Sequence, residues 1–294
     1  MKYLLLSDIH FSDKQPIGRD DDIYQAGLEK LDIIFNHACS EQTPILHSGD
    51  LFHTPENWNR KKTETAKLWK PFNDVIKLFN KYEWLKGKFY CVYGQHDMYK
   101  MNKNDTCLNT LENIGYVQIL KQSSTLYGVS WGDELPKKML KDAILVIHKS
   151  ISNSDTVFDT ISAKDFIDGF TNTFVLCGDI HKRFIVDGGN NSRIINTGPI
   201  IRRSVEEKDH KPCCAILDTI TGGLEWHFLP DRGVFSEEHI ALKNEQERSK
   251  INLKEYIESL GKFKKTADFK ENLIYMLKNI DDEPVKEKIE SYLK

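Results

Sequence analysis

The sequence predicts an α/β fold with more than one β-sheet, and three observations carry that reading. Short apolar runs recur through the first two thirds of the chain, each ending in a polar loop. Amphipathic helical segments separate the first of these runs, and from residue 183 to 241 the pattern changes to closely spaced apolar runs broken by paired glycines.

Residues 2–6 (KYLLL) read as a buried strand that ends in Ser7-Asp8. Residues 21–39 place Leu28, Leu31, Ile34, Phe35 and Ala38 at helical spacing. Pro44-Ile45-Leu46 opens a second strand that ends at Gly49-Asp50. A helical segment near 61–80 (Leu68, Trp69, Phe72, Val75, Ile76, Phe79) precedes a strand over 88–93, which runs into Gly94-Gln95-His96-Asp97. Residues 143–147 (AILVI) lead into His148, and residues 173–177 (TFVLC) lead into Gly178-Asp179-Ile180-His181. Open α/β sheets bind ligands beyond the carboxyl ends of their strands, so these loops are the natural place for a site.

From 183 to 241, Gly188-Gly189 and Thr221-Gly222-Gly223 punctuate short apolar runs and predict a second sheet. After residue 243 the chain turns to Lys, Glu, Leu and Ile at helical spacing, as in Tyr256-Ile257-Leu260 and Leu273-Ile274-Met276-Leu277, with Pro284 setting off a last short helix. The expected organisation is a domain over 1–242 and a helical C-terminal extension over 243–294. A length of 294 residues suits this division, because single cores stop growing near that size.

Composition narrows the class. With 39% hydrophobic and 29% charged residues, the chain reads as globular rather than disordered or fibrous. No stretch reaches the roughly 18 apolar residues of a membrane span, and the first apolar run breaks at Asp8, too early for a secretory leader. A cytoplasmic protein with reduced thiols is expected, since the six cysteines show no C-x-x-C spacing. A net charge of −3 gives no global attraction for nucleic acid, which would need a local basic patch.

Taken singly, each polar loop is an ordinary turn. Together, Asp8/His10, Asp50, His96/Asp97, His148 and Asp179/His181 put carboxylates and imidazoles at five strand ends. Mixed Asp and His donors suit manganese, iron or zinc, whereas an all-oxygen set suits magnesium or calcium. Two such ions can stabilise the attacking and leaving oxygens of an in-line displacement. One carboxylate must bridge them, and Asp50 is the candidate because Gly49 lets the backbone approach closely.

The segments SDIH, SGDLFH, YGQHD, IHKS and GDIHK, in this order, resemble the calcineurin-like metallophosphoesterase superfamily over roughly residues 1–230. Within it, NTGPIIRRSVEEKDHKP is similar to the region after the last metal motif of SbcD-like DNA nucleases, particularly phage-type members. That resemblance implies a four-layer α/β sandwich, two mixed sheets face to face with helices outside, plus the helical extension. It implies that Asp8, His10, Asp50 and His181 hold one divalent ion, manganese by preference over magnesium, iron or zinc. Asp50, Gln95, His148 and Asp179 would hold a second. His96 would assist the leaving oxygen, with Asp97 fixing its tautomer.

Two positions depart from the family pattern. Gln95 stands where Asn is usual, carrying the same amide oxygen on a longer stem, and Asp179 stands where His is usual, adding negative charge that lowers the second ion's Lewis acidity. The expected activity is exo- or endonucleolytic cleavage of DNA in repair, recombination or replication. The alternatives are a phosphodiesterase or phosphatase acting on RNA or small phosphate esters, and a non-hydrolytic subunit with a degenerate second metal position. The resemblance also implies an SbcC-like ABC-type ATPase partner docked on the C-terminal helices, and a homodimer.

His47 and His53 flank Gly49-Asp50 and are left outside the site, and His37, His210, His227 and His239 read as structural. Basic residues follow several of the polar loops: Arg60-Lys61-Lys62, Lys100, Lys103, Lys149, Lys182-Arg183 and Arg202-Arg203. They either gather positive potential at the mouth of the site or are solvated surface charge. Tyr99, Trp58 and Trp131 are candidates for stacking on bases or for core packing.

Overall fold

A computed structural model of the chain describes residues 1–54, 65–104, 106–121, 125–136, 140–153, 160–231, 235–242 and 245. The chain divides into two compact units, Met1–Ile240 and Ala241–Lys294. The helices expected from residue 243 onward lie outside the described residues, as do Trp58 and Arg60-Lys61-Lys62.

The first unit begins β1 (Lys2–Leu6), α1 (Ile23–Ser40), β2 (Ile45–His47), α2 (Thr65–Lys81), β3 (Phe89–Cys91), α3 (Cys107–Asn113), β4 (Val117–Ile119) and β5 (Leu126–Val129). It continues with β6 (Ile144–His148), β7 (Ile151–Ser152), β8 (Ile161–Ser162), α4 (Ala163–Asp168), β9 (Phe174–Gly178), β10 (Phe184–Asp187), β11 (Arg193–Asn196), β12 (Cys213–Asp218) and β13 (Leu224–Phe228). Helix starts follow local chemistry: the Asp22, Thr106 and Ser162 side chains accept from the backbone N–H groups of Gln25, Asn109 and Asp165.

Two mixed sheets form the frame, one in the order β13-β12-β1-β2-β3-β4 and the other in the order β10-β11-β9-β6-β5. The stretch from 183 to 241 therefore builds no sheet of its own. Its strands β10 and β11 join one sheet, while β12 extends the other by pairing antiparallel to β1 and β13 pairs antiparallel to β12. Turn signals mark where strands end but carry no information about which distant edge they pair with.

Side-chain alternation along the strands produces the layers. Tyr3 and Leu5 of β1, Leu46 of β2, Val146 of β6 and Leu176 of β9 pack together in the core between the sheets. Leu4, Leu6 and Ile45 face the other way, into a core shared with Ile34 and Phe35 of α1 and Phe79 of α2. On the far side, Leu145, Ile147, Val175 and Cys177 pack with Ala163 and Ile167 of α4. The result is helices, sheet, sheet, helix, in agreement with the four-layer expectation. Each fully buried Leu or Ile contributes about 1.5–3 kcal/mol, so the strands form rigid supports for the loops at their ends.

Register then fixes where those loops emerge. In one sheet β1, β2 and β3 run parallel with Leu6, His47 and Cys91 in one row. In the other, β6 and β9 run parallel with His148 opposite Gly178. Pairing continues past the strand ends, since the N–H groups of His10 and Phe11 donate to the carbonyls of Asp50 and Leu51 at 2.8 and 2.9 Å. Asp8, Asp50 and Gln95 leave one sheet and Asp179 leaves the other, so the predicted strand-end loops meet across a seam between two sheets.

Candidate metal centre

Four of the residues singled out in the sequence adopt left-handed backbone conformations: Asp8 at φ 43°, His10 at φ 49°, Asp50 at φ 57° and Asp179 at φ 83°. Such a conformation costs an L residue roughly 1–2 kcal/mol, and its concentration in these loops marks a place where side-chain direction matters more than backbone ease. Gly49 at φ 104° precedes Asp50, and a Cβ there would meet His148 Nδ1 at 2.5 Å. Close approach of these loops thus depends on a missing side chain.

The loops bring together Asp8, His10 and His181 as one group of donors and Asp8, Asp50 and His148 as another, the atoms of each lying within 4.8 Å of one another. Asp50 Oδ2 lies between the two groups, 3.6 Å from His10 Nε2 and 3.5 Å from His148 Nε2. Asp8, Asp50 and His148 are wholly buried and His10 nearly so.

Two of the imidazoles are aimed by their other nitrogen. His148 Nδ1 donates to the Ser48 carbonyl at 2.6 Å, and His181 Nδ1 donates to Glu207 Oε1 at 2.6 Å. Both rings therefore turn Nε2 toward the carboxylates. A carbonyl or carboxylate partner at one ring nitrogen fixes the tautomer and makes the other a better donor to a cation.

Gln95 and Asp179, the two departures from the family pattern, hold each other. Gln95 Nε2 donates to Asp179 Oδ1 at 2.8 Å, Gln95 Oε1 faces His148 Nε2 at 2.7 Å, and Ser150 Oγ donates to Asp179 Oδ2. Both oxygens of Asp179 are engaged, whereas Asp8 Oδ2 and Asp50 Oδ2 are buried without a hydrogen-bond partner.

Electrostatics point the same way. Burial pushes Asp8 up to about 6, and it would depress His148 and His181. Asp50, Asp8 and Asp179 nevertheless lift His148 to about 10, and Glu207, Asp8 and Asp50 lift His181 to about 9. Burial alone would raise Asp50, yet His148, then His10 and His96, hold its carboxyl below the usual range. His10 is pushed far below its ordinary value by burial, so its neutral Nε2, 3.0 Å from His181 Nε2, accepts the proton that His181 carries. Two buried carboxylate oxygens without donors and imidazole nitrogens sharing protons form a set that divalent cations of borderline hardness fit.

Two features correct the sequence reading. Asp97 does not meet the His96 ring: its oxygens accept the backbone N–H groups of Asp50 at 2.7 Å, Leu51 at 3.3 Å, Phe52 at 3.1 Å and Gly94 at 3.1 Å. It clamps the loop of Asp50 to the loop of His96, because a short carboxylate within a tight 3-10 turn reaches backbone more readily than an outward-pointing ring. His96 Nδ1 instead meets the His53 carbonyl at 2.9 Å. The second correction is His53 itself, whose ring stacks on His96 with centroids 5.1 Å apart and joins His10 and His96 in a third group of close donors. Its place in SGDLFH was the available signal. Glu207 was marked only as part of the segment NTGPIIRRSVEEKDHKP, with nothing to set it apart from its charged neighbours.

His47 stays outside the centre, buried against Phe89 with both ring nitrogens unpartnered. Of the basic residues, Lys103 is paired with Asp133 and Arg202 with Asp231. Trp131 lies edge-on to His148 with centroids 6.2 Å apart. Beside the centre opens a cleft of about 980 Å³ walled by Gln95, His96, His181, Lys182, Arg183 and Lys211. All six cysteines are unpaired, and no helix among the described residues is long and apolar enough to cross a membrane.

Two face-to-face mixed sheets with clustered Asp and His donors at their seam define a metallophosphoesterase. The sequence model of the calcineurin-like phosphoesterases matches residues 1–183, and the chain belongs to that family. The match includes every donor through His181 and leaves Glu207 outside it. No curated protein matches the chain in sequence. Among solved structures it is similar to a conserved uncharacterised protein from Streptococcus pneumoniae TIGR4, described as a predicted phosphoesterase. That likeness has 9% identity over 78% of this chain and 99% of the other, with a TM-score of 0.26, too remote to carry an argument.

Proposed function

We propose that this metallophosphoesterase is a DNA nuclease of the SbcD-like, phage-type kind, hydrolysing phosphodiester bonds in repair, recombination or replication. The observation that carries the two-ion part of this reading is the position of Asp50 Oδ2, 3.6 Å from His10 and 3.5 Å from His148. Asp8, His10, Asp50 and His181 would hold one divalent ion and Asp50, Gln95, His148 and Asp179 the other, manganese in this reading. Bound there, the ions supply Lewis acidity and an activated water for an in-line displacement.

The chain's own residues supply the rest. His96 Nδ1 donates to a fixed carbonyl, so the ring is oriented, and as an imidazolium it would carry on Nε2 the proton that the departing oxygen takes. Asp97 keeps the His96 turn seated on the Asp50 loop. The cleft of about 980 Å³ is roomier than a single phosphate needs, which supports a polymeric substrate; its wall mixes Lys182, Arg183 and Lys211 with Asp179, Glu206, Glu207 and Asp209. The proposal extends to an ABC-type ATPase partner engaged by the C-terminal segment, which lies outside the described residues, and to a homodimer.

A second reading rests on a specific contact. Gln95 and Ser150 occupy both oxygens of Asp179, which favours a weakened second ion position and, at the extreme, a non-hydrolytic subunit. The separating experiment is manganese-dependent hydrolysis of linear, nicked and hairpin DNA beside nucleotide esters, with metal content measured on wild type and Asp50→Ala. DNA cleavage that disappears with the metals in Asp50→Ala is expected. Turnover of small esters alone would replace the nuclease reading with a phosphodiesterase or phosphatase. One ion or none, with no hydrolysis of any ester, would leave the non-hydrolytic reading.

A further inference from the structure

Between β11 and β12 the chain crosses from one sheet to the other and passes the metal centre. Glu207 pins this crossing: one of its oxygens meets His181, and the other accepts the backbone N–H groups of Arg203 and Ser204. The clamp sets where the Arg203 side chain starts. Its guanidinium reaches back to the other sheet's loop, donating to the carbonyls of His10 at 3.4 Å and Lys14 at 3.1 Å.

Those partners are dipoles, not counter-ions. Arg19 and Arg202 nearby are each matched to a carboxylate, Asp21 and Asp231, but among the described residues no carboxylate pairs with Arg203 or Lys14. Arg203 is half-buried; burial brings its guanidinium down to about 10, and the Glu207 carboxylate acts against that shift. The guanidinium stands at the edge of the centre, on the carbonyl of His10, whose ring packs edge-on against those of His53 and His96. A guanidinium has five N–H donors, and two carbonyl contacts leave N–H groups for a planar or tetrahedral oxyanion.

Arg203 is not part of the wall of the large cleft, whereas its neighbour Ser204 is. The centre thus has the cleft beside His181 and, at the His10 loop, a guanidinium held by two backbone carbonyls next to the exposed Lys14. We propose that Arg203 and Lys14 form a second phosphate subsite, which takes the phosphate adjacent to the scissile one in a nucleic-acid chain whose other arm lies in the cleft. This rests on the nuclease reading above. A small phosphate ester has no neighbouring phosphate to place there, while a polynucleotide always does, so the subsite favours the polymer.

The test is fluorescence anisotropy of a short fluorescein-labelled single-stranded DNA bound to the full-length protein with calcium in place of manganese, over a series of salt concentrations. Arg203→Gln should weaken binding roughly tenfold at low salt and lower the slope of log Kd against log salt by about one, the signature of one lost phosphate contact. Lys14→Ala, at an exposed position where folding is not at stake, should move both quantities in the same direction by a smaller amount. Unchanged Kd and slope in both variants would overturn the subsite, as would failure of the wild type to bind the strand. Wild type that binds DNA but cleaves none with manganese would sink the nuclease reading alone, whereas cleavage with unaltered variants would sink the subsite alone.

Discussion

His181 Nδ1 and Glu207 Oε1 lie 2.6 Å apart, and this contact ties the end of β9 to the crossing segment before β12. Glu207 is buried, so its charge is balanced at close range by the imidazole and by the two backbone N–H groups it caps. Glu207→Gln keeps the shape and removes the charge. It should weaken binding of the divalent ion at the Asp8/His10/His181 group by roughly 10–100-fold, the usual effect of losing a ligand's supporting partner. Manganese titration calorimetry reads this directly, and an unchanged affinity would strip Glu207 of the role.

Gly94 makes a steric prediction. A Cβ at that position would fall 1.9 Å from Asp50 Oδ1 and 2.5 Å from the Asp50 backbone nitrogen, neither of which can retreat. Gly94→Ala should displace the Asp50 loop, cost about 1–3 kcal/mol of stability and abolish metal loading together with hydrolysis. Gly189→Ala is the comparison, since a Cβ there meets nothing within 4 Å. Equal metal content in the two variants would show that the Asp50 loop has slack.

Gln95→Asn tests the engaged half of the centre. The glutamine amide spans from His148 to Asp179, with contacts of 2.7 and 2.8 Å, and the shorter asparagine cannot hold both. Freed from its donor, Asp179 should bind the second ion more tightly, by up to about tenfold, and turnover should hold or rise. Metal stoichiometry and initial rates are the readouts. Indifference in both would show that the side chain at 95 plays no part in the second position.

His47 gives the pH prediction. Burial, and then His148, pull its imidazole down to about 3, so the folded protein keeps it neutral. An unfolded histidine protonates below about 6.5, so the unfolded state binds a proton that the native state refuses. Stability from this group is fully present above about pH 6.5 and falls by about 1.4 kcal/mol per unit as the solution is acidified toward 3. His47→Leu removes the titration while keeping an apolar side chain against Phe89. Urea midpoints of the two proteins should diverge progressively below about pH 6.5, and a constant offset across that range would refute the assignment.

Much of the centre was legible before any fold was known, because each donor pair follows directly on an apolar run. Asp8 after KYLLL, Asp50 after ILHSG and Asp179 after TFVLCG are local statements: the run must be a buried strand, and the polar residue just beyond it must sit at a strand end. The fold class was readable for the same reason. The strands β4 and β5 and the helices α3 and α4 were not, being too short to stand out from their surroundings.

The chain's periodicity determined which residues stand at strand ends, since burial of alternate or continuous apolar side chains is decided within a few residues. Only tertiary structure decided that β1, β2 and β3 belong to one sheet and β6 and β9 to the other, so that their ends face across a seam. It alone put Glu207 on His181, turned Asp97 onto the Asp50 backbone instead of the His96 ring, and seated Arg203 on the His10 carbonyl. Those relations join residues as much as 193 positions apart. They are set by strand pairing and by the packing of two sheets, which no local pattern of residues encodes.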